Sequence, residues 1–157
     1  MTERKKMNAV EYLMQIPEAD AKVRKLETRV NNLRMLATDN ARYLNGPIGH
    51  GQPDYDRTGT LTAEICDAEE ELAEARSAAY RIREEVGRTI CRIENRDAQD
   101  VIFMRYVKGM KWENIAREMR FSVQRVYQLR RIGIAEIERI TEKDRRQFSP
   151  NIPSKQT

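Results

Sequence analysis

The sequence predicts an all-α protein: a long antiparallel helical hairpin followed by a small trihelical module. Three observations predict it. Apolar residues recur at steps of three and four across two long stretches within residues 8–94. A break rich in Gly and Pro, residues 45–58 (NGPIGHGQPDYDRT), separates those stretches. A run of shorter amphipathic segments, residues 96–143, follows them. With 34% charged and 6% aromatic residues, the composition suits solvated helices with a narrow apolar seam better than a large globular core.

The first helix is expected over about 8–44, with Asn8 as its cap and Val10, Leu13 and Met14 in its opening turns. Pro17 is expected to kink or briefly break it. Its seam is Val23, Leu26, Val30, Leu33, Ala37 and Leu44, with Asn40 at the skipped position, where a polar side chain can fix register. The second helix is expected over about 60–94, starting near Thr60 or Thr62. Its seam is Leu61, Ile65, Ala68, Leu72, Ala75, Ala79, Ile82, Val86, Thr89 and Ile93, with steps of four and three in strict alternation. That alternation averages about 3.5 residues per turn, the coiled-coil period. Folded back on each other, two such helices make an antiparallel coiled coil roughly 45–50 Å long. Its stability comes from burying the seam. The run Glu64, Asp67, Glu69, Glu70, Glu71 and Glu74 reads as a solvated face near a helix N-terminus, or as a docking surface for a basic partner.

Residues Asn95, Arg96 and Asp97 end the hairpin and start a third helix, with Asp97 as its cap and Gly109 as its close. Trp112–Arg131 then reads as two short helices joined by a turn. Ile115, Ala116 and Met119 form the packed stripe of the first, and Val126 and Leu129 that of the second. Phe121 plugs the angle between them, and Ser122 is placed to cap the second helix. Val123, Gln124, Tyr127, Gln128 and Arg131 stay off the packed stripe. This is the pattern of a helix-turn-helix, whose second helix enters the major groove. An ordinary αα-hairpin is the competing reading, and charge argues against it. From Arg105 to Arg131 the chain holds eight Lys/Arg (Arg105, Lys108, Lys111, Arg117, Arg120, Arg125, Arg130, Arg131) against two Glu. A packing hairpin needs no such excess, whereas a polyanion-binding face does. Charge is uneven along the whole chain: residues 1–96 carry 16 basic and 17 acidic groups, and residues 97–157 carry 13 and 8.

Arg105-Tyr106 with Gly109, then Glu113, Ile115-Ala116, Ser122, Arg125-Val126 and Gln128-Leu129, resemble region four of the sigma-seventy class of sigma factors. The likeness covers about 45 residues from Asp97. In layout the whole chain is similar to late-gene transcriptional regulators of phages and prophages of Gram-positive bacteria. The turn position usually held by Gly is Arg120 here, so a differently shaped turn is expected, since a left-handed non-Gly residue costs roughly 1 kcal/mol. The resemblance implies that Gln124 and Gln128 meet the DNA site.

The functional expectation is a sequence-specific transcriptional regulator, phage or prophage encoded. Gln124 and Gln128 can each bond two edge positions of adenine, and Val123 and Tyr127 can touch a thymine methyl. Arg131 completes the base-reading set. Lys111, Ser122, Arg125 and Arg130 are the candidates for phosphate contacts, which set register without carrying sequence information. Residues 1–95 are expected to be an interaction or assembly module, 96–143 the DNA-binding module and 144–157 a disordered tail. The expected partners are double-stranded DNA, RNA polymerase and a second copy in a homodimer or small homo-oligomer through the hairpin. Two rivals stand beside this reading. One is a phage small terminase subunit, which packages DNA. The other is an RNA polymerase-binding interaction protein without DNA specificity of its own.

Several classes are not expected. Cys66 and Cys91 lie on one predicted helix roughly 37 Å apart and cannot pair. The single His50 sits in the loop, which leaves no zinc set and no Ser/His/Asp or Cys/His constellation. No Gly-rich loop follows a strand. We therefore expect no catalysis, no metal and no cofactor. No run approaches about 18 apolar residues, and MTERKKMN lacks the apolar stretch of a secretory signal. A cytoplasmic location in the bacterial host follows as an expectation.

Overall fold

The computed structural model describes residues 8–45 and 55–148. Every long element among them is helical, and no strand occurs among the described residues. The order is α1 (Ala9–Asn45), α2 (Tyr55–Ile90), α3 (Arg96–Ile102), a π-helical turn (Phe103–Val107), α4 (Trp112–Met119) and α5 (Val123–Phe148). No described helix is long and apolar enough to cross a membrane.

Helix α1 starts as expected. The Glu11 amide donates to Asn8 Oδ1 at 2.8 Å, and the Asn8 amide donates to Glu11 Oε2 at 3.1 Å. This reciprocal cap satisfies two amides that the first turn would otherwise leave unpaired. Pro17 does not break α1, which runs through it. Helix α2 begins at Tyr55, five residues before the expected Thr60, and ends at Ile90 instead of 94. The remainder of the expected loop, with His50, lies outside the described residues. After Ile90 the amides of Arg92 and Ile93 bond back three residues, to Thr89 and Ile90, which tightens the chain out of the helix. The cap of α3 is Asn95, not Asp97. Asn95 Oδ1 accepts from the Ala98 amide at 3.0 Å, and Asp97 lies in the first turn, where a carboxylate favours the helix dipole.

The chain divides into two compact units: Glu18–Arg81, and Met1–Pro17 together with Ile82–Thr157. This differs from the expected boundary at 95/96. The reason is packing. Ala9, Leu13 and Ile16 of α1 and Val86 and Ile90 of α2, with Ile93, share one core with α3, α4 and α5. The ends of the two long helices therefore belong to the same compact body as the C-terminal helices.

In Glu18–Arg81 the core is Val30, Ala68 and Leu72, with Val23, Leu26 and Leu33 packed against it. Each seam position expected there, from Val23 to Ala37 and from Leu61 to Ala79, is buried or half-buried. Three ion pairs flank the seam: Glu27–Arg76 at 2.7 Å, Arg29–Glu71 at 3.3 Å and Arg34–Glu69 at 2.6 Å. The α1 numbers rise as the α2 numbers fall, so the paired segments run in opposite directions. The pairs are exposed and worth at most about 1 kcal/mol each, so burial of the seam carries the stability.

In the other unit α5 is the central element. Val126, Leu129, Gly133, Ile137 and Ile140 form its buried strip. Gly133 lies against α3: a Cβ there would come within 2.5 Å of Ile102 Cγ1 and 3.4 Å of the Ala98 carbonyl. The Tyr12 hydroxyl and Thr89 Oγ1 share a hydrogen bond of 2.9 Å, which satisfies the one polar residue on the α2 seam. Burial pushes the Tyr12 hydroxyl above its ordinary pKa, although the Thr89 bond opposes the shift. Arg92 donates twice to Asp144, at 2.6 and 3.0 Å. That tie lies on a stretch expected to be disordered. Helix α5 in fact continues through Phe148 because Ile137 and Ile140 stay in the core and Asp144 finds Arg92. Residues 149–157, with the rest of the expected tail, lie outside the described residues.

Two outcomes check this packing. Gly133→Ala gains up to about 1 kcal/mol of helix propensity but forces Ile102 aside at a cost of about 1–3 kcal/mol. We expect a net loss in chemical denaturation, and an alanine variant more stable than the parent would deny the close crossing. The hydrogen bonds from Arg92 hold the Asp144 carboxyl below its usual range. The stability this adds is full above the ordinary aspartate pKa of about 3.9 and is lost as pH falls through the lowered value. Asp144→Asn should therefore melt below the parent near neutral pH, and the two curves should converge on strong acidification. Parallel curves at every pH would mean that the tie does not form.

Candidate nucleic-acid interface

Helix α4 buries Ile115 and Ala116, with Met119 half-buried against the same core. Ala116 lies in the same core. The helix ends on Arg120, which adopts the left-handed conformation with φ 57° and ψ 37°. The Phe121 amide donates to the Ala116 carbonyl at 2.9 Å, and the Arg120 amide to Arg117 at 3.3 Å. These two bonds define a Schellman close. The turn thus keeps the shape that glycine favours, contrary to the expected departure. Arg120 bears the left-handed strain because both carbonyls are satisfied and Phe121 is drawn into the core behind it.

Ser122 caps α5 as expected, its hydroxyl accepting from the Arg125 amide at 3.1 Å. Val126 and Leu129 are fully buried. Val123, Gln124, Tyr127, Gln128 and Arg131 are all exposed. At about 100° per residue these five span an arc of roughly 140°, centred opposite the buried strip. Arg125 is exposed and reaches Gln128 Oε1 at 3.4 Å, so a phosphate candidate and a base-reading candidate touch.

Many arginines elsewhere in the chain are paired. Arg29, Arg34, Arg76, Arg88, Arg92, Arg139 and Arg146 all lie within 4.0 Å of carboxylates. Among the described residues, none of the eight cations from Arg105 to Arg131 does so. Six of them, Lys108, Lys111, Arg117, Arg120, Arg125 and Arg131, are exposed. The positive charge is left without an internal counterion.

Arg105 and Arg130 behave differently, and sequence reading missed why. Their guanidinium carbons lie 4.9 and 5.5 Å from the centroid of the Trp112 ring. Arg105 also donates to the Met110 carbonyl at 2.8 Å. Arg130 is half-buried, and its Nε is buried without a hydrogen-bond partner. Arg130 was expected to contact a phosphate. Instead Trp112 draws it inward through attraction between the cation and the ring face. Tyr127 packs on the same indole, with centroids 5.5 Å apart and planes tilted by 43°. Tyr127 and Arg130 are neighbours on α5, three residues apart, but Arg105 and Trp112 come from other segments, so no local pattern announces the cluster.

The approach of Arg105 to Trp112 depends on the π-helical turn. There the Lys108 amide bonds to the Phe103 carbonyl at 3.2 Å, a five-residue step. Gly109, at φ 70°, then carries the chain towards α4.

These features define an all-helical protein with a basic C-terminal segment whose cations meet no described carboxylate. The chain belongs to the DUF1492 family, described as proteins of unknown function, whose profile matches residues 56–138. That span runs from the start of α2 into α5 and includes every nominated residue. No curated protein and no solved structure matches the chain.

The geometry of the turn can be checked directly. Arg120→Gly removes the left-handed penalty and should stabilise the chain by up to about 1 kcal/mol. A lower melting temperature for that variant would show that Arg120 is not in this conformation.

Proposed function

We propose that this chain is a sequence-specific double-stranded DNA-binding protein that regulates transcription, with α4 and α5 as a helix-turn-helix and α5 as the helix that enters the major groove. The observation that carries the reading is the basic segment from Arg105 to Arg131. Eight cations lie there without a described carboxylate partner, beside five exposed side chains on one face of α5. A fold gains nothing from leaving such charge unpaired, but a polyanion releases its counterions when it meets it. In this reading Gln124 and Gln128 read base edges, Val123 and Tyr127 touch thymine methyls, and Arg131 serves either purpose. Lys111, Ser122 and Arg125 face phosphates, while Arg130, held over Trp112, is set back from that role. The likeness of Asp97–Ile140 to sigma region four supports the same assignment, and with it RNA polymerase as a second partner. The seam of α1 and α2 in Glu18–Arg81 fits an antiparallel coiled coil that serves as an interaction or assembly module.

The test is binding by the full chain to a duplex selected from a random pool and to a scrambled duplex, at two salt concentrations. Gln128→Ala should cost about 1–3 kcal/mol on the selected duplex and little on the scrambled one. Lys111→Ala should weaken both alike and lower the salt slope by about one. Equal losses on both duplexes for Gln128→Ala would remove it as a base reader. Absence of salt-dependent binding would favour a protein that contacts RNA polymerase alone. A ring of many subunits by mass measurement would favour the packaging role.

A further inference from the structure

We infer that Trp112 is the positioning residue of this interface, setting the sequence selectivity of α5 by holding Tyr127 and Arg130 in one pose. The inference rests on the DNA-binding reading above.

Trp112 is the only tryptophan in the chain and occupies the first position of α4. It is half-buried, with one side against the core and the rest available to its neighbours. Three side chains converge on it: Arg105 and Arg130 over the ring, and Tyr127 tilted against it. An exposed tyrosine on a helix would otherwise exchange between rotamers. Contact with a rigid indole selects one of them before any ligand arrives, so less freedom is lost on binding. The same holds for Arg130, whose long side chain has more rotamers to lose.

The ring also solves a charge problem. Two guanidiniums within 5.5 Å of one centroid repel each other, and neither meets a described carboxylate. The ring face attracts both, which lets the pair persist without a counterion. The buried Nε of Arg130 has no hydrogen-bond partner, which leaves the indole as the contact described for its guanidinium. A tryptophan serving only to fill the core would need none of these three contacts. Tyr127 is the member of the cluster on the exposed arc of α5. Fixing its ring therefore affects discrimination between base pairs more than total charge.

The experiment compares the parent, Trp112→Ala and Trp112→Phe as full chains on a selected and a scrambled duplex, at two salt concentrations. Trp112→Ala should lower the ratio of the two affinities by about 2- to 10-fold, the cost of ordering one or two side chains on binding. Its salt slope should stay unchanged, because no charge is removed. Trp112→Phe keeps a ring face and should restore most of the ratio. Partial unfolding would weaken both duplexes equally and leave the ratio alone, so the ratio separates positioning from stability. An unaltered ratio in Trp112→Ala, or equal loss in the alanine and phenylalanine variants, would overturn the inference while leaving the DNA reading intact. A parent chain without salt-dependent binding would overturn both.

Discussion

The crossing of α3 and α5 at Gly133 is the constraint on which the C-terminal unit depends. Ile102 lies where a side chain at 133 would be, so the two helices approach more closely than any other residue at 133 would allow. That approach sets the rotation of α5 about its own axis. With Gly133 inward, Val126, Leu129, Ile137 and Ile140 are inward too, and the residues half a turn away must face out. The exposure of Gln124, Tyr127, Gln128 and Arg131 is thus a by-product of packing some distance along the helix. A change of rotation at the crossing would turn the same side chains towards α4.

Charge is distributed according to what the fold requires of it. In Glu18–Arg81, arginine and glutamate meet across the seam of α1 and α2 and neutralise one another locally. In the C-terminal helices Arg92 pairs with Asp144, Arg139 with Glu94 and Arg146 with Glu142. In the stretch from Arg105 to Arg131 no described cation does so. Within it the two innermost arginines lean on an aromatic ring instead of a carboxylate. A ring attracts a cation without cancelling its charge, so the positive potential of the face survives the burial.

Features set by local chemistry were legible in the sequence. The seam positions follow from steps of three and four, and each described one is buried or half-buried. Asn8 and Ser122 cap their helices because a short polar side chain before an apolar periodic run has few better uses. Features set by distant partners were not legible. Helix α5 extends past its expected end because Asp144 meets Arg92, fifty-two residues away. Asn95 displaced Asp97 as the cap of α3 by a margin of two residues, which periodicity does not resolve. The early start of α2 runs through Gly59, a residue that argues for a loop on propensity alone. The division of the molecule and the convergence on Trp112 depend on contacts between segments without a common period.

The π-helical turn at Phe103–Val107 closes α3, and the chain passes from it through residues 108–111 to α4. Ala98, Val101 and Ile102 before the turn and Tyr106 within it are all buried. The wider turn thus ends the helix without taking Tyr106 out of the core. It also carries Arg105, whose guanidinium lies over the indole at the head of α4. One short segment therefore does two jobs: it stops a helix, and it seats a cation against the start of another.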